Sequence, residues 1–234
     1  QKKVSTQLEK LEVPPPPTSV SYNRAPGQEH PVVIKTTKKT DWSMAKWGII
    51  PSQKLASSRL NPINARIETV REKSIFQDSL LHRGCLVPAD GYFEWQKIDS
   101  QKSPYFHYLT NQHMFAMAGI WNETKKEEGC VRSFSVLTQP ASPNLLHIHH
   151  RMPVIINPQD WSDWLDNDSQ LDHLLSYYSQ PKQTLNFHQV ASKINHVKND
   201  GPDLIVRFTE KQSTLWGSKQ NRLRKIQSEN SMIS

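Results

Sequence analysis

Short apolar runs broken by turn residues occupy the middle of the chain. Val, Ile and aromatic residues dominate these runs, and Gly, Asn, Pro and Lys separate them, which is the pattern of β-strands joined by turns. The central part of the chain is therefore predicted to form a β-rich sheet. The pattern predicts strands over residues 31–34, 105–109, 114–121 and 133–138, and residues 42–51 form another apolar stretch that ends at a proline.

The clearest strand signal lies at residues 84–95 (GCLVPADGYFEW). An apolar run there meets the pair Asp90 and Gly91, and aromatic residues follow the pair. Asp-Gly between two such runs is typical of a tight hairpin turn. The pattern predicts a strand, a turn and a returning strand.

Helical periodicity is confined to two segments, residues 65–82 with an irregular apolar face and residues 158–178 with a clearer one. Asn157 is predicted to cap the second helix, and Pro158 suits its first turn. A few helices beside many strands predict an α+β fold with a single β-rich domain.

The two ends of the chain differ from the middle. Residues 1–18 are a polar N-terminal segment that ends in a proline-rich connector, with PPPP at 14–17. Residues 19–208 are predicted to form the domain. Residues 209–234 are basic and polar, which predicts a disordered tail.

The charge balance favours a polyanionic partner. Lys and Arg total 29 against 22 Asp and Glu, which gives a net charge of +7 and a pI near 9.4. The alternative is that the excess charge belongs to a solvated tail.

Cysteine usage and hydropathy limit the class of protein. Cys85 and Cys130 are too few for a disulfide framework or a zinc cluster, and they suit a reducing compartment. No apolar run approaches the roughly 18–20 residues of a membrane span, and no signal peptide is visible. These features predict an intracellular protein that contacts no membrane and needs no metal.

Glu94 lies between Phe93 and Trp95, directly after the predicted turn. A carboxylate at the end of a sheet suits general acid or base chemistry. The alternative is an ordinary exposed glutamate on a strand.

Three histidines, His147, His149 and His150, precede Arg151. Alternation would place His147 and His149 on one face of an extended segment. Two imidazoles there could bind a metal ion, but a third ligand at suitable spacing is lacking, so a single proton-transfer histidine is preferred. Loop histidines held by backbone hydrogen bonds remain the alternative.

Polar loop residues and tryptophans offer possible contacts to nucleic acid. Asn23 and Asn64 could orient sugar oxygens or bases, and Arg66 could clamp a phosphate. Trp47 and Trp95 could stack on bases, although an isolated tryptophan is more often a core residue.

Neither cysteine is predicted to be a nucleophile. Cys85 lies inside an apolar strand, where burial would raise the pKa of its thiol. Cys130 follows Gly129 in a predicted turn, with no base nearby in the sequence.

Six short motifs, taken in chain order, resemble the SRAP (SOS-response-associated peptidase) family. The similarity also reaches residues 187–188 and 195–204, so that it covers roughly residues 21–206. Six ordered motifs at family-like spacing are far more specific than one short pattern. The motifs are residues 22–26 (YNRAP), 47–48 (WG), 64–66 (NAR), 89–95 (ADGYFEW), 117–120 (MAGI) and 148–153 (IHHRMP).

The resemblance implies a strongly curved, mixed or antiparallel sheet, a pseudo-barrel with a few flanking helices. It also implies a function, because members of the family cover abasic sites in single-stranded DNA through a covalent link that shields the strand from cleavage. Their attacking group is a Cys exposed at the mature N-terminus by removal of the initiator Met from a Met-Cys-Gly-Arg start. Its amine and thiol close a thiazolidine ring on the opened sugar.

The resemblance also assigns roles to residues of this chain. Asn64 would orient the terminal Cys and the sugar, Glu94 would move protons at the amine and the ring oxygen, and His149 would act on the sugar hydroxyl and the Schiff base. Arg66 and Arg151 would hold the flanking phosphates. The remaining implied DNA-binding residues are Asn23, Ala25, Pro26, Trp47 and Trp95.

The chain departs from the family pattern in three places. It opens with Gln1, Lys2 and Lys3, so without a mature N-terminal Cys the pocket is expected to bind DNA but not to form the thiazolidine. Residues 52–54 (SQK) stand where some members carry paired tryptophans, and Ser74 stands where relatives carry a phosphate-binding Arg. We therefore expect weaker stacking and a greater reliance on the guanidinium groups.

Three functions compete: a covalent protector of abasic sites, a noncovalent binder of single-stranded DNA or junctions, and a thiol peptidase that processes its own leader. The first is favoured. It describes a crosslinking enzyme with lyase-like chemistry and autocatalytic N-terminal processing that uses no cofactor. Its expected partner is single-stranded DNA with abasic sites, including 3′ junctions. We expect a monomer, nuclear in a eukaryote and cytoplasmic in a bacterium.

Overall fold

The predicted strands are present in the computed structural model of the chain, and they divide into two sheets. The structure describes residues 11, 13–14, 20–37, 39–51, 61–110, 114–127, 129–166 and 170–209. Most of the N-terminal segment, residues 52–54 and the tail beyond residue 209 lie outside this part of the chain.

The described residues form eleven strands, three α-helices and three 3-10 helices. The strands are β1 (Glu29–Lys35), β2 (Thr40–Trp47), β3 (Asn64–Arg66), β4 (Gly84–Ala89), β5 (Tyr92–Ile98), β6 (Gln101–Tyr108), β7 (Phe115–Lys126), β8 (Gly129–Pro140), β9 (Arg151–Pro153), β10 (Ile155–Ile156) and β11 (Asn186–Gln189). The α-helices are α1 (Ser74–His82), α2 (Trp161–Asp166) and α3 (Leu171–Tyr177), and the 3-10 helices are Pro158–Asp160, Ser192–Asn195 and Pro202–Ile205.

Five strands of the larger sheet close into a barrel. β7, β4, β1, β2 and β8 pair in that order, and the pairing of β7 with β8 completes the ring. β2 and β8 run parallel, with Lys46 opposite Ser133, whereas the other pairs in the ring are antiparallel. β3 and β9 add to β8, and β10 adds to β7. The prediction of an α+β fold with a strongly curved mixed sheet is confirmed.

Strand β1 shows why the apolar runs in the sequence are uninterrupted. Val32, Val33 and Ile34 are all buried, because both faces of the strand are covered. Side chains alternate along a strand, so Val33 joins the core cluster that contains the helices, and Val32 and Ile34 join a second cluster.

Helix α2 is anchored to the barrel by a buried tryptophan. The indole Nε1 of Trp164 donates to the carbonyl oxygens of Cys85 at 3.0 Å and Gly119 at 3.2 Å. Cys85 and Gly119 are themselves opposite each other on β4 and β7. The absence of a side chain at Gly119 leaves room for the Cys85 thiol, since a Cβ added there would lie 2.6 Å from Cys85 Sγ.

The segment at 84–95 contains both predicted strands, but the prediction of a hairpin is wrong. β4 pairs with β1 and β7 in the barrel, whereas β5 pairs with β6 in a separate sheet of β5, β6 and β11. The turn at Asp90 and Gly91 moves the chain from one sheet to the other. Gly91 is required by a close approach, because a Cβ there would lie 2.3 Å from Phe106 Cζ.

Both helix predictions are corrected by the structure. Residues 64–66 are the strand β3, and only Ser74–His82 of the first segment is helical. The second segment divides into Pro158–Asp160, α2 and α3, with Pro158 in the first turn as predicted. Asn157 precedes that turn, but its side chain makes no capping bond and instead accepts a hydrogen bond from Gln183. In the described part of the chain, no helix has the length and apolar character needed to span a bilayer.

The Gly119 contact predicts a specific rescue. Replacing Gly119 by Ala overpacks the site beside Cys85 and is expected to lower the free energy of unfolding by about 1–3 kcal/mol. Adding Cys85→Ala removes the sulfur and should recover part of this loss, as measured by urea denaturation of the two single variants and the double variant. Purely additive losses would contradict the packing argument.

Two buried histidines predict a loss of stability in acid. Burial lowers the pKa of both His30 and His107 to about 4. Above pH 6.5 both rings are neutral in the folded and unfolded states. Between pH 6.5 and 4 the histidines bind protons in the unfolded chain but stay neutral in the folded chain, so the free energy of unfolding falls as the pH falls. We expect each histidine to cost about 2–3 kcal/mol of stability over that window.

The His107→Phe variant tests this prediction, because a phenyl ring keeps the stack on Tyr92, whose ring centroid lies 4.7 Å from that of His107. Urea denaturation at pH 7.5 and pH 5 should show a smaller acid loss for His107→Phe than for the wild type. The exposed His82, changed to Gln, serves as the control and should leave the loss unchanged. An equal acid loss in wild type and His107→Phe would refute the assignment.

Candidate active site

The C-terminal half of β8 carries the frame of the site. On one edge β3 runs parallel to β8, with Asn64 opposite Val136 and Arg66 opposite Thr138. On the other edge β9 runs antiparallel, with Arg151 opposite Pro140. Alternation buries Ala65 and leaves Asn64 and Arg66 exposed on the same face of β3. The amide and the two guanidinium residues therefore share one end of β8.

Glu94 and His149, which are distant in the sequence, are brought together. Glu94 Oε2 lies 3.8 Å from His149 Nδ1, and the two side chains are 30% and 36% exposed. This separation allows an electrostatic interaction but is longer than a hydrogen bond. The amide of Gln96 connects β5 to the histidine loop, since its Nε2 donates to the carbonyl oxygen of His147 at 2.8 Å.

The histidine loop is a turn, and the prediction of an extended segment is wrong. The N–H groups of Ile148 and His149 both donate to the carbonyl oxygen of Leu145, at 2.9 Å and 3.1 Å. His147 therefore does not share a strand face with His149, and its ring lies against Phe187, with 5.2 Å between ring centroids. Within the described ranges, no group of three His, Cys, Asp or Glu side chains is arranged to hold a metal ion.

The ring of His149 is held by the backbone of Arg151. The N–H of Arg151 donates to His149 Nδ1 at 3.2 Å, and the carbonyl oxygen of Arg151 lies 3.3 Å from the same nitrogen. Nδ1 is thus turned toward the start of β9, which leaves Nε2 as the ring nitrogen able to meet a substrate.

The guanidinium of Arg151 is already engaged within the protein. Nη1 and Nη2 donate to the two carboxylate oxygens of Glu68 at 2.6 Å and 2.8 Å, and Nη2 also donates to the carbonyl oxygen of Thr138 at 2.6 Å. These hydrogen bonds from Arg151 hold the pKa of Glu68 below its usual value. Arg66, in contrast, is exposed on β3.

Sequence reasoning missed three residues of this region: Glu68, Gln96 and Thr138. One signal was available, because Asn64, Arg66 and Glu68 continue a spacing of two along the chain. Gln96 and Thr138 act through long-range hydrogen bonds that no local pattern reports.

Asn23 and Trp95 organise a loop next to the smaller sheet. The Nδ2 of Asn23 lies 3.3 Å, 3.2 Å and 3.0 Å from the carbonyl oxygens of Ile194, His196 and Asn199. The indole Nε1 of Trp95 donates to Asn195 Oδ1 at 2.8 Å. Both side chains therefore hold the loop over residues 194–199.

The other residues implied in DNA binding occupy two different environments. Pro26 is exposed in the turn that leads into β1, where the N–H of Ala25 donates to Gln28 Oε1 at 2.9 Å. Trp47 packs in the barrel wall, stacked on Phe134 with 6.3 Å between centroids, and its Nε1 donates to a backbone carbonyl at 2.8 Å. The geometry thus gives Trp47 a packing role.

Both cysteines are poorly placed to be nucleophiles of this site. Cys85 is buried, and burial raises the pKa of its thiol well above the usual value, as predicted. Cys130 is exposed but lies at the start of β8, opposite Lys125. Eight residues of extended chain, about 26 Å, separate it from Thr138.

The fold and the site together define a β-barrel protein with a carboxylate and an imidazole suited to acid–base chemistry. Its family can be stated as well. The chain belongs to the SRAP family, described as SOS response associated peptidase, whose sequence model matches residues 1–197.

Similar proteins are found in bacteria and in animals. The abasic site processing protein YoqW of Bacillus subtilis is 32% identical over 190 residues, which cover 79% of this chain and 85% of that protein. The abasic site processing protein HMCES of Pongo abelii is 30% identical over 251 residues, which cover 87% of this chain and 70% of that protein.

Two solved structures share the fold. A crystal structure of a Bacteroides thetaiotaomicron protein matches with a TM-score of 0.68 at 24% identity, covering 78% of this chain and 82% of that one. A Bordetella bronchiseptica protein matches with a TM-score of 0.67 at 22% identity, covering 80% of this chain and 95% of that one.

The role of Asn23 can be tested by hydrogen exchange. Asn23→Ala removes the donor that serves three loop carbonyls, so amides over residues 194–199 should exchange faster and the protein should lose about 1–2 kcal/mol of stability. Asn186→Ala, at an exposed position of β11, is the matched control. Unchanged exchange in the loop would show that Asn23 does not organise it.

Proposed function

We propose that this protein binds abasic sites in single-stranded DNA, with Asn64, Glu94 and His149 around the damaged sugar. The observation that carries the proposal is the 3.8 Å approach of Glu94 to His149. His149 is held by Arg151 at the start of β9, and β9 pairs with β8, the strand that also pairs with Asn64 and Arg66 of β3. The names of the similar proteins, abasic site processing proteins, support the choice of substrate. The net charge of +7 favours a polyanionic ligand.

The chemistry of an abasic sugar suits these groups. Its opened form carries an aldehyde at C1 and a hydroxyl, which need a proton donor and a proton acceptor when an amine attacks. His149 is proposed to present Nε2 to the sugar, and Glu94 to accept and return the proton of the amine. Asn64 offers both an amide donor and an acceptor to orient the sugar.

The covalent step is proposed for a form of the protein that carries a Cys at its mature N-terminus. The α-amine adds to the C1 aldehyde and water leaves, which gives a Schiff base. The thiol then adds across the carbon–nitrogen double bond, with sulfur on carbon and the proton on nitrogen, to close the thiazolidine. No electrons are gained or lost overall.

The phosphate contact is assigned to Arg66 ahead of Arg151. Arg66 is exposed, whereas the Arg151 side chain is 15% exposed and already paired with Glu68. A phosphate would have to displace a carboxylate that occupies both arms of the Arg151 guanidinium. Arg66 has the same chemistry at an exposed edge strand.

The binding proposal is tested with two labelled oligonucleotides that differ only in one central abasic site. Fluorescence anisotropy should show that the 234-residue chain binds the abasic strand more tightly than the intact strand. Arg66→Gln should weaken binding of both strands and lower the slope of log K against log salt by about 0.7. Lys35→Gln removes the same charge where Lys35 pairs with Asp166 on α2, and it should have little effect.

A denaturing gel tests the covalent step with a form that begins with Cys. A shifted band with the abasic strand is expected, and Glu94→Gln combined with His149→Asn should abolish it, whereas noncovalent binding of the intact strand through Arg66 should remain. A band that survives both substitutions would exclude the assigned groups. Equal affinity for intact and abasic strands would leave only a general single-strand binder and overturn the proposal.

A further inference from the structure

The ion pair between Glu68 and Arg151 has a second connection. Four acceptors hold the Arg151 guanidinium, namely both Glu68 carboxylate oxygens and the carbonyl and hydroxyl oxygens of Thr138. The backbone N–H of Arg151 lies 3.2 Å from His149 Nδ1. We propose that Glu68 is a positioning residue that, through Arg151, sets the orientation of the His149 ring and the nitrogen that carries its proton. The inference rests on the proposed function only in treating His149 as a site residue.

The strand pairing explains why Arg151 needs a side-chain anchor. Arg151 lies opposite Pro140, which has no N–H and therefore cannot donate to the Arg151 carbonyl. β9 is only three residues long, so few ladder bonds hold it in place. The Arg151 guanidinium donates to Thr138 on β8 and to Glu68, which follows β3 in the chain. These bonds connect β9 to β8 and to the segment after β3. This connection fixes the backbone on which the His149 ring rests.

The consequence for His149 is a choice of tautomer. Nδ1 lies 3.2 Å from the N–H of Arg151, from which it can accept a hydrogen bond, and 3.3 Å from the carbonyl oxygen of Arg151, to which it can donate one. The proposal takes the N–H as its partner. A nitrogen that accepts such a bond carries no proton, so the neutral ring is then protonated at Nε2. Nε2–H is then the proton donor that the ring offers. If the Arg151 backbone shifts, Nδ1 loses this donor and can take the proton instead, because the Glu94 carboxylate lies 3.8 Å away as an alternative acceptor.

A different role for Glu68 would rest on the same ion pair. A carboxylate that binds a guanidinium at two points resembles a phosphate, and Glu68 could simply occupy Arg151 until DNA arrives. The backbone contact between Arg151 and His149 favours the positioning role, because a residue that only occupied the phosphate site would not need a connection to the His149 ring. The two roles predict different results for one substitution.

The test uses protein labelled with ¹⁵N at histidine, without DNA, at about pH 8, where an ordinary imidazole is neutral. Two-bond proton–nitrogen correlations report which ring nitrogen of His149 is protonated. The wild type should show Nε2–H, and Glu68→Gln should move the proton toward Nδ1. Glu72→Gln, an exposed glutamate in the turn that follows, removes the same charge and should leave the ring signals unchanged.

A wild-type spectrum with the proton on Nδ1 would overturn the proposal. This outcome needs no variant, so the proposal stays testable even if Glu68→Gln fails to fold. Unchanged ring signals in a folded Glu68→Gln protein would overturn it too. If that variant also bound single-stranded DNA several-fold more tightly, the role of occupying Arg151 until DNA arrives would replace it. Glu68→Asp restores the carboxylate and should return most of the Nε2–H signal. These signals are measured without DNA, so they do not depend on the preference for abasic sites.

Discussion

The sharing of strand β8 among four other strands is the constraint on which the rest of the structure depends. β7 and β9 pair along one edge, and β2 and β3 pair along the other. The first half of β8 closes the barrel, and the second half holds the strands that carry Asn64, Arg66 and Arg151. A strand with partners on both edges cannot slip in register without moving the barrel and the site together. Fold and site are therefore parts of one ladder.

The ion pair at the end of this ladder determines what the basic residues can do. An arginine that is 15% exposed needs a partner, because an unpaired buried charge is strongly destabilising. Glu68 is that partner, and its ion pair with Arg151 stabilises the guanidinium in its largely buried position. Arg66, on the exposed face of an edge strand, has no such burial to satisfy. Two guanidinium groups that look equivalent in the sequence therefore differ in environment.

Local patterns predicted the strands well where both faces are buried, as at residues 31–34, because short uninterrupted β-branched runs are typical of strands covered on both sides. They failed where local pattern and long-range pairing disagree. The predicted helix began at residue 65, but residues 64–66 form strand β3, which pairs with β8. The turn at Gly91 joins two different sheets and not two strands of one hairpin. The helix predicted over residues 65–82 relied on apolar positions such as Val70, but Val70 is buried in a turn and not on the face of a helix.

The sequence by itself determined the types of chemical group, their order along the chain and hence the family, together with the burial of Cys85. These follow from residue identity and from alternation, which are local properties. Only the tertiary structure decided that Glu94 meets His149, that Arg151 is bound to Glu68 and that Trp47 packs against Phe134. Each of these is a contact between residues far apart in the chain, and such a contact depends on which distant strands pair, which no local pattern encodes.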